Sequence, residues 1–103
     1  MAHYELMYIL KPDLGEEQVA ADIERYNQTI QQQNGIVEKT EKWGRRKLSY
    51  EIDGYGEGFY MVVTFTGEGE IGNELTRVLK IHDDVIRSIV VRIDDVEEKN
   101  QNS

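Results

Sequence analysis

The apolar positions of the chain repeat with two periods, which predict strands and helices in turn. An aromatic and branched run at residues 4–10 predicts a first strand, which ends before Pro12 because proline cannot donate to a sheet ladder. Apolar residues spaced by four, three and four positions then predict an amphipathic helix, with the stripe Val19, Ile23, Tyr26 and Ile30. The helix is expected to end at Asn34 and Gly35, since both residues tolerate the left-handed backbone of a helix C-terminus.

A period of two dominates the middle of the chain. It predicts one long strand over residues 36–52 that bends near Trp43 and Gly44. The glycine-dense stretch 53–58 predicts a hairpin loop, and the run 59–65 predicts the third strand.

A second amphipathic helix and a fourth strand, over residues 85–93, complete the predicted elements. The helix carries one apolar stripe, made of Leu75, Val78 and Leu79. The order β-α-β-β-α-β indicates an α+β, ferredoxin-like fold, in which two helices cover one face of a four-stranded antiparallel sheet. Residues 1–94 are predicted to form this domain, and residues 95–103 a disordered acidic tail with too little apolar surface to fold.

Several predicted strands carry apolar residues on both faces, although the helices can cover only one. The set left without a helix over it is Met7, Ile9, Tyr60, Val62, Ile89 and Val91. An exposed apolar surface of this kind is typical of a contact site. The alternative is that strand propensity alone places branched residues on a solvated face.

Length and charge narrow the class of protein. The chain has 103 residues, enough for one hydrophobic core, and 12 Lys and Arg against 20 Asp and Glu give a net charge of −8. This acidic balance argues against a protein that coats nucleic acid indiscriminately. The chain has no cysteine, which excludes disulfides and thiolate metal sites, and its apolar runs are too short to span a membrane.

The sequence offers no catalytic constellation. The two histidines, His3 and His82, lack metal-ligand spacing to another ligand. The glycines of the predicted hairpin loop join two strands and do not open a helix, so they do not form a phosphate-binding loop. We therefore expect no enzymatic activity, no metal, no cofactor and no small-molecule substrate.

Positive charge is concentrated in one short segment. Residues 42–50, Lys-Trp-Gly-Arg-Arg-Lys-Leu-Ser-Tyr, hold four of the 12 Lys and Arg residues and no Asp or Glu. Cations interleaved with aromatic rings suit RNA, because the cations neutralise phosphates while flat groups stack on bases. Arg87 and Arg92 on the fourth strand and Tyr4 on the first are expected to lie alongside. The alternative is a charged edge strand that blocks edge-to-edge pairing.

Several motifs occur in the order of a known family. They are Tyr4-Glu5, Ile9-Leu10-Lys11-Pro12, Asn34-Gly35, Trp43-Gly44-Arg45-Arg46-Lys47-Leu48-Ser49-Tyr50-Glu51-Ile52, Gly58-Phe59-Tyr60 and Leu79-Lys80-Ile81-His82-Asp83-Asp84-Val85-Ile86-Arg87. On these motifs the chain resembles the bacterial small-subunit ribosomal protein S6 family, from residue 3 to about residue 93.

The resemblance implies a ferredoxin-like ribosomal protein of the cytoplasm without enzymatic activity. It also implies binding to the central domain of small-subunit ribosomal RNA, in the subunit platform, together with the basic ribosomal protein S18. By position, the expected RNA-binding residues are Tyr4, Arg45, Arg46, Lys47, Arg87 and Arg92. The expected contacts with the partner protein are Leu48, Tyr50 and Tyr60.

A different class of function remains open beside this one. A ferredoxin-like regulatory or small-ligand-binding module that self-associates through its open sheet face has the same order of elements. The segment 42–50 separates the two hypotheses, because a small-molecule sensor does not need such a concentration of cations.

Overall fold

The computed structural model describes residues 1–93, so the predicted tail at 95–103 lies outside the described residues. Six elements follow in the predicted order: β1 (Ala2–Leu10), α1 (Glu16–Gln32), β2 (Ile36–Ile52), β3 (Tyr55–Gly67), α2 (Ile71–Lys80) and β4 (Val85–Arg92). The strands form one antiparallel sheet in the order β2-β3-β1-β4, which confirms the α+β, ferredoxin-like prediction. Within residues 1–93, neither helix is long and apolar enough to cross a membrane.

The hydrophobic core lies between the two helices and one side of the sheet, which we call the helix face. On that face, alternate side chains of β1 and β3 are fully buried: Leu6, Tyr8, Leu10, Met61, Val63 and Phe65. The helices contribute Ile23, Tyr26 and Ile30 from α1, and Ile71, Leu75 and Leu79 from α2. Removal of these side chains from water is the main driving force for folding. The opposite side of the sheet, here called the open face, is covered by neither α1 nor α2.

The β2–β3 hairpin differs from the prediction of a loop over residues 53–58. Its turn contains only Asp53 and Gly54, with φ values of 53° and 84°, and β3 already begins at Tyr55. Two consecutive residues with positive φ make a tight turn whose twist matches that of the flanking strands. Gly58 lies within β3, and this position requires glycine because a Cβ atom there would come 2.3 Å from Cγ2 of Ile9. The glycines that indicate a loop in the sequence are therefore part of a strand.

The predicted bend in β2 is a β-bulge. The register with β3 shifts between Lys42 and Gly44, and Gly44 has a φ of 82°, a conformation that suits glycine. The predicted end of α1 is also confirmed, since Asn34 has a φ of 64°.

The open face is less exposed than its sequence indicates. Ile9 and Val62, which the sequence predicts to be uncovered, are only 7% and 2% exposed, because both lie on the two central strands of the sheet. Ile89 and Val91 on the edge strand β4 are 56% and 40% exposed. Uncovered apolar surface is therefore concentrated along the edge strand, whereas on the central strands Met7 and Tyr60 stay partly exposed.

Candidate RNA and partner interface

Strand alternation divides the cationic segment 42–50 between the two faces of the sheet. Lys42 and Arg45 of β2 each pair with a residue of β3 whose side chain is on the helix face. Both cations therefore lie on that side of the sheet. Arg46 is opposite Gly58 and lies on the open face. The segment therefore contributes to two basic surfaces, one on each side of the edge strand.

The helix-face cations border a groove between β2 and the start of α1. Lys11, Lys42 and Arg45 line this groove, which has a volume of about 620 Å³. Glu16 at the first position of α1 lines the same groove and offsets part of their charge. Three cations against one carboxylate leave the groove positive, which suits an RNA phosphate.

The Arg45 side chain is held across this edge of the protein by two contacts. Its Nη2 donates to the carbonyl oxygen of Pro12 at 2.7 Å, and its Nη1 donates to Oε1 of Glu57 at 3.4 Å. Lys47 is the cross-strand neighbour of Glu57 and is exposed. Glu57 thus lies between two residues of the predicted RNA-binding set and aligns at least one of them.

Arg46 and Trp43 form a cation–aromatic pair. The guanidinium carbon of Arg46 lies 5.0 Å from the centroid of the Trp43 ring, and Trp43 is 40% exposed. Such stacking orients a guanidinium while its N–H groups stay available to phosphates, and an exposed indole can stack on a base. Trp43 is absent from the predicted contact residues; its place beside the cationic run is the sequence feature that identifies it.

Arg87 and Tyr50 meet across the open face. Nη1 of Arg87 donates to the hydroxyl oxygen of Tyr50 at 3.1 Å. Arg87 lies on β4, where it pairs with Ile9 of β1. Tyr50 belongs to the end of the β2–β3 hairpin that extends past β1. Tyr50 is 62% exposed. One hydrogen bond therefore joins a predicted RNA-binding residue to a predicted partner contact.

Tyr4 and Arg92 lie at the other end of the sheet, on the helix face. They are neighbours on β1 and β4, and the Tyr4 ring stacks on Phe65 with centroids 5.3 Å apart. Because the register from Arg87 to Arg92 is regular and the two arginines are five positions apart, an odd separation, they lie on opposite faces of the sheet. The expectation that Tyr4 and Arg92 lie alongside the segment 42–50 is therefore wrong, because β4 is the edge strand opposite β2 and both residues lie at the far end of the sheet.

The two remaining predicted partner contacts are partly accessible. Leu48 and Tyr60 are both half-buried. Tyr60 lies on the open face, opposite Ile9 of β1 and Gly44 of β2. A Cβ atom at Gly44 would have no heavy atom within 4 Å, so open space lies beside Tyr60 on that side.

Comparison with known proteins identifies one family. Residues 3–92 match the family model for ribosomal protein S6. Small ribosomal subunit protein bS6 of Moorella thermoacetica is 40% identical over 95 residues, covering 92% of this chain and 97% of that protein. The bS6 protein of Carboxydothermus hydrogenoformans is 45% identical over 94 residues, covering 91% and 98%. The crystal structure of 30S ribosomal protein S6 from Thermotoga maritima aligns with a TM-score of 0.89 at 32% identity, covering 98% of this chain and 95% of that one.

Proposed function

The chain belongs to the ribosomal protein S6 family of the small ribosomal subunit, and from that premise we propose that it binds the central domain of small-subunit ribosomal RNA together with ribosomal protein S18. We assign this binding to assembly of the subunit platform in the cytoplasm. In this proposal the protein is a structural component, with no enzymatic activity, cofactor or small-molecule substrate. The family assignment itself confirms the resemblance carried by the sequence motifs.

One observation carries the proposal: cations are paired with aromatic rings beside uncovered apolar side chains. Arg87 contacts Tyr50, and Arg46 stacks on Trp43. Ile89, close to Arg87 on β4, is 56% exposed. Apolar area of this kind favours a protein partner, whereas the cations favour phosphates, so the combination suits a ribonucleoprotein.

The overall charge of the chain supports binding with a basic partner. At −8, the protein as a whole repels RNA, and only the local charge of the segment 42–50 attracts it. A basic partner protein would supply the further positive charge that RNA binding needs. This explains how an acidic chain takes part in an RNA complex.

We propose that RNA contacts two separate places on this protein. Arg45, Arg46 and Lys47 share the edge strand β2, so one RNA segment that follows this edge can reach them on both faces. Arg92 lies on the opposite edge strand β4 and Tyr4 on the adjacent central strand β1, both on the helix face, so they require a second RNA segment. Arg87, joined to Tyr50, contacts RNA next to the proposed partner surface, to which we assign Leu48, Tyr50 and Tyr60.

A gel-shift titration with purified S18 and a central-domain RNA fragment tests this proposal. We expect a ternary complex. Arg46→Ala should weaken it and reduce the slope of log affinity against log salt concentration by about one, as expected for the loss of one phosphate contact. Arg25→Ala is the matched control, because Arg25 is an exposed arginine of α1 and not of the sheet, and it should leave the affinity unchanged.

The competing hypothesis of a self-associating module predicts a different result. It predicts a stable homodimer in gel filtration and no ternary complex even at low salt. That result would contradict the proposed function.

A further inference from the structure

Helix α1 and the loop between α2 and β4 meet at a polar cluster made of Asp22, His82 and Asp84. Asp22 is fully buried on the inner side of α1, whereas the side chains of His82 and Asp84 are each 20% exposed. The cluster is thus accessible to solvent from the loop side and closed on the helix side. Asp22 is far from the other two members in the sequence, so no local spacing reveals the cluster.

Three potential ligand atoms converge in this cluster. Nε2 of His82 lies 3.9 Å from Oδ1 of Asp22 and 3.9 Å from Oδ2 of Asp84. The three side chains each offer one ligand atom, all within 4.8 Å of one another. Tetrahedral ligands about 2.0–2.1 Å from a zinc ion lie roughly 3.3 Å apart, so rotations that move these atoms by less than about 1 Å bring them into range.

The cluster contains a carboxylate oxygen without a hydrogen-bond partner. Oδ2 of Asp22 is buried and has no hydrogen bond within the described part of the chain. Its Oδ1 accepts a hydrogen bond at 2.9 Å from the side-chain amide of Gln18, which also donates to Oδ2 of Asp84 at 3.1 Å. The positive end of an amide dipole therefore lies between two carboxylates, where a cation would be favoured.

Electrostatics also indicates an excess of negative charge here. Burial and the neighbouring Asp84 carboxylate raise the pKa of Asp22 to about 6, whereas the pKa of Asp84 is lowered, chiefly because the protonated carboxyl group of Asp22 can donate a hydrogen bond to it. The charge of Asp22 adds to the effect of burial in raising the pKa values of Tyr8 and Tyr26. The positive charge of Lys11 also contributes to lowering the pKa of Asp84.

His82 is oriented in the manner of a metal ligand. Nδ1 of its ring is hydrogen-bonded to the hydroxyl group of Tyr26. When Nδ1–H donates to that oxygen, the lone pair of Nε2 is directed away from Tyr26, toward the two carboxylates. A hydrogen bond from the second ring nitrogen is the usual support of a ligating histidine.

We propose that Asp22, His82 and Asp84 bind a divalent transition-metal ion of the Zn²⁺ type and so link α1 to the loop before β4. When the metal ion binds, the side-chain amide of Gln18 rotates by about 180° so that its oxygen faces the ion. This oxygen or a water molecule is then the fourth ligand. Imidazole together with two carboxylates favours Zn²⁺ or Co²⁺, whereas Mg²⁺ and Ca²⁺ require more oxygen ligands. The sequence-based expectation of no metal site is replaced by this proposal.

The test is titration of tag-free, metal-stripped full-length protein with Co²⁺, followed by visible absorption, and with Zn²⁺, followed by thermal unfolding. We expect one ion per chain, tetrahedral Co²⁺ bands, and a melting temperature that rises with Zn²⁺ until the site is saturated. His82→Gln and Asp84→Asn should each weaken binding at least tenfold. His3→Gln is the matched control, because His3 is the other histidine of the chain and lies outside the cluster, next to Glu38 at 3.5 Å, and it should bind like the wild type.

Two results would overturn the proposal. One is the absence of stoichiometric Co²⁺ and Zn²⁺ binding to the wild-type protein. The other is binding that survives in His82→Gln or is lost equally in His3→Gln. Should the His82 variant not fold, ¹⁵N NMR of the wild-type histidines decides the question: Zn²⁺ must shift Nε2 of His82, and a shift confined to His3 contradicts the site.

Discussion

The two faces of the sheet differ in burial and in chemistry. On the helix face, Leu6, Val63 and Phe65 are fully buried, whereas Tyr50 and Ile89, which border the open face, are 62% and 56% exposed. The helix face gains free energy from burial of apolar area, and the open face leaves aromatic, apolar and cationic groups available to other molecules. Stability and binding are therefore separable in this protein. Substitution of buried residues on the helix face should change the free energy of unfolding, whereas substitution of exposed residues on the open face or along the β2 edge should change affinity.

The greatest loss of stability is expected on the helix face. Leu6→Ala should lower the free energy of unfolding by about 2–5 kcal/mol, because it leaves a cavity in a fully buried site. Met7, the next residue, lies on the open face and is half-buried. Met7→Ala should therefore lower the free energy of unfolding by less than half as much. Urea denaturation of both variants measures the difference. Equal losses would show that the two faces contribute alike to stability.

A second prediction concerns the buried carboxyl group of Asp22 on α1 and the dependence of stability on pH. The pKa of Asp22 in the folded protein is about 6, above the value of about 3.9 for an unfolded chain, so the folded state holds this proton more tightly. Its stabilising contribution is complete below about pH 4 and is lost as the pH rises through about 6. The amide introduced by Asp22→Asn does not titrate and resembles the protonated acid. The stability of this variant relative to wild type should therefore increase by about 1–2 kcal/mol between about pH 4 and pH 7.5.

Urea titrations in the presence of EDTA at both pH values measure this difference. Asp83→Asn, a neighbouring exposed carboxylate, is the control and should show no comparable change with pH. A constant difference between Asp22→Asn and wild type across this range would contradict the raised pKa.

The third prediction concerns the contribution of Arg87, on the open face, to RNA affinity. Arg87→Ala should weaken binding of the protein–S18 pair to RNA by about 1–2 kcal/mol, because it removes a cation and its contact with Tyr50. The free energy of unfolding should change by less than about 0.5 kcal/mol, since Arg87 is exposed. Fluorescence anisotropy with labelled RNA measures the affinity. Arg77→Ala, which removes an exposed arginine paired with Glu74 on α2, is the control. An unchanged affinity and salt slope would remove Arg87 from the RNA-binding set.

A weaker effect is expected from the Trp43–Arg46 pair. The chain contains one tryptophan, so its fluorescence reports on Trp43 directly. RNA should quench this fluorescence in the ternary complex if a base stacks on the indole. Trp43→Leu should reduce RNA affinity by about 0.5–1 kcal/mol with little change in stability. Unquenched fluorescence in a fully formed complex would exclude Trp43 from the RNA surface.

The sequence predicts the order of elements because each element carries a clear hydrophobic period. The hairpin is predicted less well, since Gly56 and Gly58 resemble loop residues but lie in β3. Gly58 is required there by the close approach of Ile9, a long-range contact that local patterns do not contain.

The candidate surfaces are predictable only in part, for a related reason. The sequence identifies the cationic segment, but the bulge at Gly44 and the strand pairing decide that Arg45 and Arg46 lie on different faces. Strand register likewise separates Arg87 from Arg92. Side-chain direction depends on register, and register depends on the whole sheet.

Two exposed isoleucines allow a decisive test of the open face as the binding surface. Ile89 lies on the open face and is 56% exposed, and Ile81, at the end of α2, is 71% exposed. Methyl NMR of the ¹³C-labelled protein, titrated with S18 and central-domain RNA, follows both residues in one experiment. We expect the Ile89 resonance to shift or broaden while the Ile81 resonance stays unchanged. A response at Ile81 with none at Ile89 would contradict binding through the open face.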